Sequence, residues 1–196
     1  MVLMGGFFVG VIGLAPTPMG PTDTRLLVQN PLLLKALLGP FHTLGADGYW
    51  LRGARLGPNR LFEQAKIITT LDPNFTLSLR YSTTYLASIQ GRVDLAHALC
   101  DIAIMHNPQQ SYPYLLKISH EMGYQQPYRY AKVIAWIKQV KTMTRDAPIW
   151  LNALLLHART QLGQTKAIRQ DLQWLLTVAS GAEERQLIQA KIAALD

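Results

Sequence analysis

The residues best spaced for chemistry are His97 and Asp101, which lie one turn apart if this stretch is helical. An imidazole and a carboxylate at that spacing can share a divalent metal ion, but such a site needs further ligands from other helices. No HExxH-like run supplies them. His120 and Glu121 are adjacent, so their side chains would point in different directions on a helix. We therefore expect His97 and Asp101 on an exposed polar helix face, and we expect no metal site.

The sequence also lacks the motifs of common enzyme classes. Its early glycines (Gly5, Gly6, Gly10 and Gly13) lie in an apolar stretch and not between a strand and a helix, so they do not indicate a phosphate-binding loop. No GxSxG elbow or Ser/His/Asp grouping has a recognisable context. The single cysteine, Cys100, lies among apolar residues, which is typical of a small buried side chain. The sequence therefore predicts a non-catalytic protein with no cofactor.

The predicted helices of this chain follow a pattern that repeats along the sequence. Asp72-Pro73 returns as Asn107-Pro108 thirty-five residues later, and a period of about 34 residues is typical of helical solenoids. Between the two, apolar residues recur at helical spacing, Gly91 interrupts them, and a second helical pattern follows. Asp72 and Asn107 are good helix-capping types, so we expect the proline after each one in a first helical turn.

The second helix of this interval carries Ala96 and Ala103, which are two turns apart and share one helix face. With Gly91 and Pro108 they resemble the glycine, two alanines and proline of the tetratricopeptide repeat, with one residue more than the usual unit of about 34. The glycine-then-alanine order returns with altered spacing in two further pairs, Gly123 with Ala131 and Gly163 with Ala167. The resemblance implies antiparallel helix hairpins in a right-handed solenoid that assembles or scaffolds a larger complex.

The repeats divide the chain into a hydrophobic leader at 1–20, a linker or capping helix at 21–40, and a repeat domain at 41–196. Ala46-Asp47 and Trp50-Leu51-Arg52 make the chain similar to bacterial tetratricopeptide proteins with an amino-terminal hydrophobic segment. Because no run alternates as a half-buried strand does, we expect an all-α fold. The repeat domain should contain four helix pairs and a final capping helix: Phe41–Leu71, Pro73–Met105, Pro108–Met143, Ala147–Ser180 and Ala182–Leu195.

The leader bears on localisation. Residues 2–15 carry no charge, and as a helix they would extend roughly 21 Å, less than the ~30 Å hydrocarbon core of a bilayer. The length suits the apolar part of a signal peptide, although no Lys or Arg precedes it. We expect a membrane-associated or exported chain, the periplasmic side included, more than a free cytoplasmic one. The segment Leu26–Leu38 either lies along the membrane surface or caps the first repeat, and we favour the cap.

The chain is basic, with nineteen Lys and Arg against twelve Asp and Glu, a net charge of +7. Between Lys117 and Arg145 six basic residues face Glu121 alone, and tyrosines lie among them. Basic and aromatic residues together can bind single-stranded RNA, here through Lys132, Lys138 and Lys141. The same cluster could face anionic lipid. An RNA-binding repeat protein and a structural accessory subunit of a membrane complex are therefore our two alternatives.

Our first hypothesis is a non-catalytic adaptor whose concave groove holds a peptide or helix of a partner protein. We expect membrane association through residues 2–15 and a protein partner in preference to nucleic acid. Helical phase places seven residues in the groove, from the first helices of the second and third pairs: Arg80, Tyr81, Thr84, Ser88, Lys117, His120 and Glu121.

Overall fold

The computed structural model of this chain describes residues 30–53, 60–144 and 147–195. The leader predicted for residues 1–20 lies outside the described residues. All regular structure within these ranges is helical, which confirms the all-α prediction. No helix in the same ranges is both long and apolar enough to cross a membrane. In chain order the helices are α1 (Pro31–Leu38), α2 (His42–Gly53), α3 (Leu61–Leu71), α4 (Thr76–Ser88), α5 (Val93–His106), α6 (Tyr112–Tyr124), α7 (Tyr130–Met143), α8 (Trp150–Gln161), α9 (Thr165–Val178) and α10 (Ala182–Ala193).

Helix packing follows the order of the chain. From α1 to α10, the extensive contacts of the described helices join consecutive helices or helices two apart. The contacts two apart are α1 with α3, α3 with α5, and α4 with α6. Each of the four segments predicted to be a helix pair contains two helices, and the last segment contains α10.

The turns within two of the pairs depend on glycine. Gly91, between α4 and α5, has φ +64°, and Gly163, between α8 and α9, has φ +65°. A side chain is disfavoured at such angles, which explains why glycine interrupts the helical pattern at both places. The third pair differs, because Gly123 lies inside α6 and the turn to α7 comes after it, at residues 125–129. Gly123 and Ala131 therefore do not repeat the role of Gly91 and Ala96.

The prolines between pairs do not lie in the first turns of helices, contrary to our expectation. Pro73 lies in a turn, and α4 begins only at Thr76; α6 begins four residues after Pro108, at Tyr112. Asp72 ends α3, since its backbone N–H donates to the Ile68 carbonyl (2.8 Å). Its Oδ1 also accepts the Asn74 N–H at 3.0 Å, which stabilises a turn at Pro73 in place of a helix start.

The core is divided into four clusters that succeed one another along the helices. Ala96 and Ala103 are fully buried in the cluster built from α3 to α6, as their shared face predicts. Cys100 is buried in the same cluster, where burial raises the pKa of its thiol to about 12. This confirms the prediction that Cys100 is a small core residue, because so high a pKa leaves almost no reactive thiolate near neutral pH.

Candidate functional site

Helix α4 has one buried side and one exposed side. Its buried side carries small and apolar residues, among them Ser78, Ser82 and Leu86, which pack towards the neighbouring helices. The exposed side, here called the α4 face, consists of Leu77, Arg80, Tyr81, Thr84 and Ser88. Four of the seven residues predicted to line the groove therefore share one solvent-accessible surface.

Aromatic rings hold Tyr81 in place on the α4 face. Trp50 of α2 meets the Tyr81 ring edge to face, with centroids 5.5 Å apart, and meets Phe75 in the same way at 5.8 Å. Tyr81 also stacks on Tyr85, at 6.3 Å. Ring pairs at these distances and angles are favourable beyond the area they bury. Tyr81 nevertheless remains 53% exposed, so the surface offers a supported aromatic side chain to solvent.

Arg80 connects the α4 face to helix α6. Burial raises the pKa of Tyr112 on α6, and the nearby charge of Arg80 acts to lower it. A guanidinium has five N–H donors, so Arg80 can bind a carboxylate while it stays near Tyr112. The α4 face thus combines an exposed cation with exposed and supported tyrosine.

The other three predicted groove residues lie inside the protein. Lys117 is 7% exposed, His120 is 2% exposed and Glu121 is fully buried. The prediction that they contact a partner in an open groove is therefore corrected. Together with His97, Arg129 and Trp136 they form what we call the polar cluster, between helices α5, α6 and α7.

Lys117 crosses the polar cluster and reaches the surface. Its Nζ lies 4.7 Å from the centre of the Trp136 ring and 2.5 Å from the Oδ1 of Asp101, whose side chain is 60% exposed. The ammonium is thus balanced by a carboxylate and an aromatic face, which compensates for its removal from water.

His97 and His120 stack on each other in the interior, with ring centroids 6.3 Å apart and planes at 25°. His97 also meets Trp136 edge to face at 5.2 Å. The expectation that His97 and Asp101 share an exposed face is therefore wrong, because the side chain of His97 turns towards α6 while Asp101 turns to solvent. Among the described residues, no group of three or more His, Cys, Asp or Glu side chains could hold a metal ion.

Burial keeps both of these histidines neutral at pH 7. It lowers the pKa of His97 to about 4, with a further contribution from the charge of Lys117. It lowers the pKa of His120 to about 4 as well, and His97 adds to the effect. His97 Nε2 and His120 Nδ1 are buried without a hydrogen-bond partner. Protonating either ring would place a charge in the interior at a nitrogen with no hydrogen-bond acceptor, so the pair stabilises the fold when both rings are neutral.

Glu121 joins α6 to the start of α7. Its carboxylate accepts the Arg129 backbone N–H (3.0 Å), Nε (2.7 Å) and Nη2 (2.5 Å). Burial acts to raise the pKa of Glu121, but the hydrogen bonds and charge of Arg129 outweigh it, and the pKa lies below its usual value. Arg129 directly precedes α7, so this pair closes the turn at residues 125–129.

The basic residues between Lys117 and Arg145 are less available to a binding partner than the sequence indicates. Lys117 and Arg129 are in ion pairs. Lys141 donates to Asn152 Oδ1 at 2.8 Å and lies 4.9 Å from the centre of the Trp174 ring. Lys132 and Lys138 are exposed on α7. Of the five cations of this stretch that the structure describes, three are therefore engaged within the protein, which weakens the argument for a phosphate-binding surface.

The comparisons with known proteins do not assign this chain to a family. No protein-family model, curated protein or solved structure matches it. The site is therefore interpreted from its own geometry: an exposed α4 face and a buried polar cluster that supports the helices behind it.

Proposed function

We propose that this protein is a non-catalytic scaffold that binds a peptide or helix of a partner protein on the α4 face. The observation that carries the proposal is Tyr81, which is 53% exposed yet held by Trp50 and Tyr85 and adjacent to Arg80. Tyrosine, tryptophan and arginine are the residues most enriched where partner proteins bind most tightly. A side chain that is already supported loses less freedom on binding.

The order of helix packing supports a repeat architecture. Contacts between consecutive helices and helices two apart are what a stack of helix hairpins requires, because each repeat contacts its neighbours only. We infer a tetratricopeptide-like right-handed solenoid in which α2, α4 and α6 line the inner surface. In such a stack the α4 face lies near the centre of the groove, between Trp50 of α2 and Tyr112 of α6.

The chemistry of the α4 face defines the kind of segment it would bind. Leu77 and Tyr81 offer apolar surface, at 60% and 53% exposure, and Arg80 offers a cation. A matching segment carries an aromatic or aliphatic side chain a short distance from a carboxylate. The net charge of +7 adds long-range attraction for an acidic partner. We place this scaffold in a membrane-associated or exported complex because of the leader sequence.

Selection from a displayed library of random peptides tests the proposal. Peptides that bind the full chain should be enriched in acidic and aromatic residues. Tyr81→Ala and Arg80→Ala should each weaken binding of a selected peptide about tenfold or more, as truncation of central interface residues does. Lys132→Ala is the matched control, since it removes an exposed cation from α7 and leaves the α4 face intact.

Two outcomes would contradict the proposal. Failure to select any peptide would argue against a peptide-binding groove. Binding that survives Tyr81→Ala and Arg80→Ala but fails with Lys132→Ala would place the site on α7. Salt-sensitive binding of single-stranded RNA that also needs Lys138 would favour the alternative of an RNA-binding repeat protein.

A further inference from the structure

We propose that the outward surface formed by α1, the short 3-10 helix Gly39–Phe41 and the start of α2 docks on a lipid bilayer. Five large apolar side chains on this surface are exposed: Leu32 at 62%, Leu33 at 53%, Leu37 at 72%, Phe41 at 59% and Leu44 at 51%. These five residues are called the N-terminal apolar face. It is separate from the α4 face of the proposed scaffold, so the two assignments stand or fall independently.

The N-terminal apolar face arises because α1 is apolar on both of its sides. Leu34 and Leu38 turn inward and pack against the cluster that contains Ala46, Ile68 and Leu71. The opposite side carries Leu32, Leu33 and Leu37, where a surface helix of a water-soluble domain normally carries polar residues. One side of α1 thus packs against the protein core, and the other side is exposed to solvent.

Little charge lies near this face, although Asp47 is exposed one turn after Leu44 on α2. Lys35 is the only Lys, Arg, Asp or Glu between Asn30 and Ala46. Its Nζ turns back to donate to the Thr70 carbonyl oxygen at 3.0 Å, away from the exposed leucines. Several large apolar side chains exposed close together in the chain mark a contact with another protein or with a membrane.

The chain before α1 favours the membrane. Residues 2–15 carry no charge and are mostly apolar, and fourteen further residues separate them from Asn30. If the leader covered the N-terminal apolar face as a helix, one of its own apolar sides would still meet water. A bilayer accommodates the leader and the N-terminal apolar face together. The net charge of +7 adds attraction to anionic headgroups.

The contact we propose is parallel to the membrane surface. An apolar face that lies in the interface enters the headgroup and acyl-chain boundary by roughly 5–10 Å, without a membrane-crossing helix. Leu37 and Phe41 would then contact acyl chains, while α3, which packs on the inner side of α1, stays on the aqueous side.

Depth-sensitive fluorescence on the full chain tests this proposal. Leu37→Cys introduces a thiol that an environment-sensitive dye can label, and the native Cys100 is fully buried, with a pKa of about 12, and so does not compete in the folded protein. The probe is a vesicle of phosphatidylcholine and phosphatidylglycerol, with or without bromine on its acyl chains. The matched control is Leu187→Cys on α10, a leucine that is 59% exposed, compared with 72% for Leu37.

On addition of vesicles, the dye at position 37 should shift to shorter wavelength and lose emission when the acyl chains are brominated. The dye at position 187 should do neither. Adding Phe41→Glu should abolish the response at position 37, whereas Leu187→Glu should preserve it. Both positions are exposed, so neither change disturbs the core.

Three results would overturn the proposal. If vesicles bind the chain but bromine does not quench the dye at position 37, the leader acts alone. If the dye is already shifted before vesicles are added and the shift disappears on dilution, a second copy of the chain covers the face. If the shift persists at every dilution, the chain's own leader covers it.

Discussion

Asn107 Nδ2 donates a hydrogen bond of 3.0 Å to Asn74 Oδ1, across thirty-three residues of sequence. Asn74 lies in the turn before α4, and Asn107 lies in the turn before α6. The bond therefore joins two successive turns between helix pairs and places them side by side. Stacked helix pairs require this relationship, because equivalent turns come together when equivalent helices do.

Overpacking at Ala96 tests the close approach of the helices. Ala96 is fully buried, so Ala96→Leu should lower the free energy of unfolding by about 1–3 kcal/mol, because the added atoms have no space. Ala135→Leu on α7 is the matched control, since Ala135 is exposed and should tolerate the larger side chain. Urea unfolding of both variants measures the difference. Equal stability of the two variants would show that Ala96 is not at a close contact.

The backbone at Gly91 should be sensitive to any side chain. Gly91→Ala should lower the free energy of unfolding by about 1–2 kcal/mol, because an L-residue is disfavoured at φ +64°. Space is not the reason, since a Cβ there would meet no atom within 4 Å. Gly48→Ala, in α2 and equally open, should instead stabilise by about 0.5–1 kcal/mol through helix propensity. Thermal unfolding should therefore show a lower Tm for Gly91→Ala and a higher Tm for Gly48→Ala. A lower Tm for both variants would contradict the conformational explanation.

The Glu121–Arg129 pair should contribute more than a surface ion pair. Arg129→Leu leaves the fully buried Glu121 without its cation. The free energy of unfolding should fall by about 2–3 kcal/mol, and the loss is moderate because the Arg129 side chain is 39% exposed. The same change should raise the pKa of Glu121. Arg92→Leu is the control, because Arg92 and Asp94 pair in solvent, at 52% and 64% exposure, and should leave the Tm unchanged. Equal shifts in Tm would argue against a special role for the buried carboxylate.

The stacked histidines predict how stability depends on pH. Folding lowers the pKa of His97 and His120 from 6.5 to about 4, so between these values the unfolded chain binds more protons than the folded one. Stability should be greatest above pH 6.5 and should decrease as the pH falls towards 4. A shift of this size corresponds to about 3 kcal/mol of folding free energy per histidine.

Denaturant unfolding of matched variants across this pH range measures that dependence. His120→Phe keeps a ring beside His97 and should flatten the slope, because one of the two titrating groups is lost. His157→Gln replaces an exposed histidine and should keep the slope, since both buried histidines remain. A slope that is the same in both variants would contradict the assignment to the buried pair.

The helix pairs could be predicted because their signals are local. A proline after Asp72 and another after Asn107 separate the pairs, and the spacing of Ala96 and Ala103 predicts their shared buried face. The exact helix starts could not be predicted in the same way. The Asx turn at Asp72 competes with a helix N-terminus, and the same residue types favour both.

The polar cluster could not be recognised from helical phase. Helical phase alone predicts that polar residues on the groove side are exposed. Lys117 and Glu121 are instead buried because each meets an opposite charge, and His120 is buried because it stacks on His97. For His97 the sequence did hold a signal. Val93 and Cys100, one turn before and after it, are apolar and buried, so His97 lies within the same stripe.

Site-specific photocrosslinking is the most direct test of the α4 face as the binding surface. A photoreactive amino acid at Thr84 should crosslink to a peptide selected on the native chain, because Thr84 is exposed one turn from Arg80 and next to Tyr85. The same amino acid at Lys132 on α7 should not. Crosslinks from Thr84 that disappear with Tyr81→Ala are the result we predict. Crosslinks from Lys132 with none from Thr84 would contradict the proposed function.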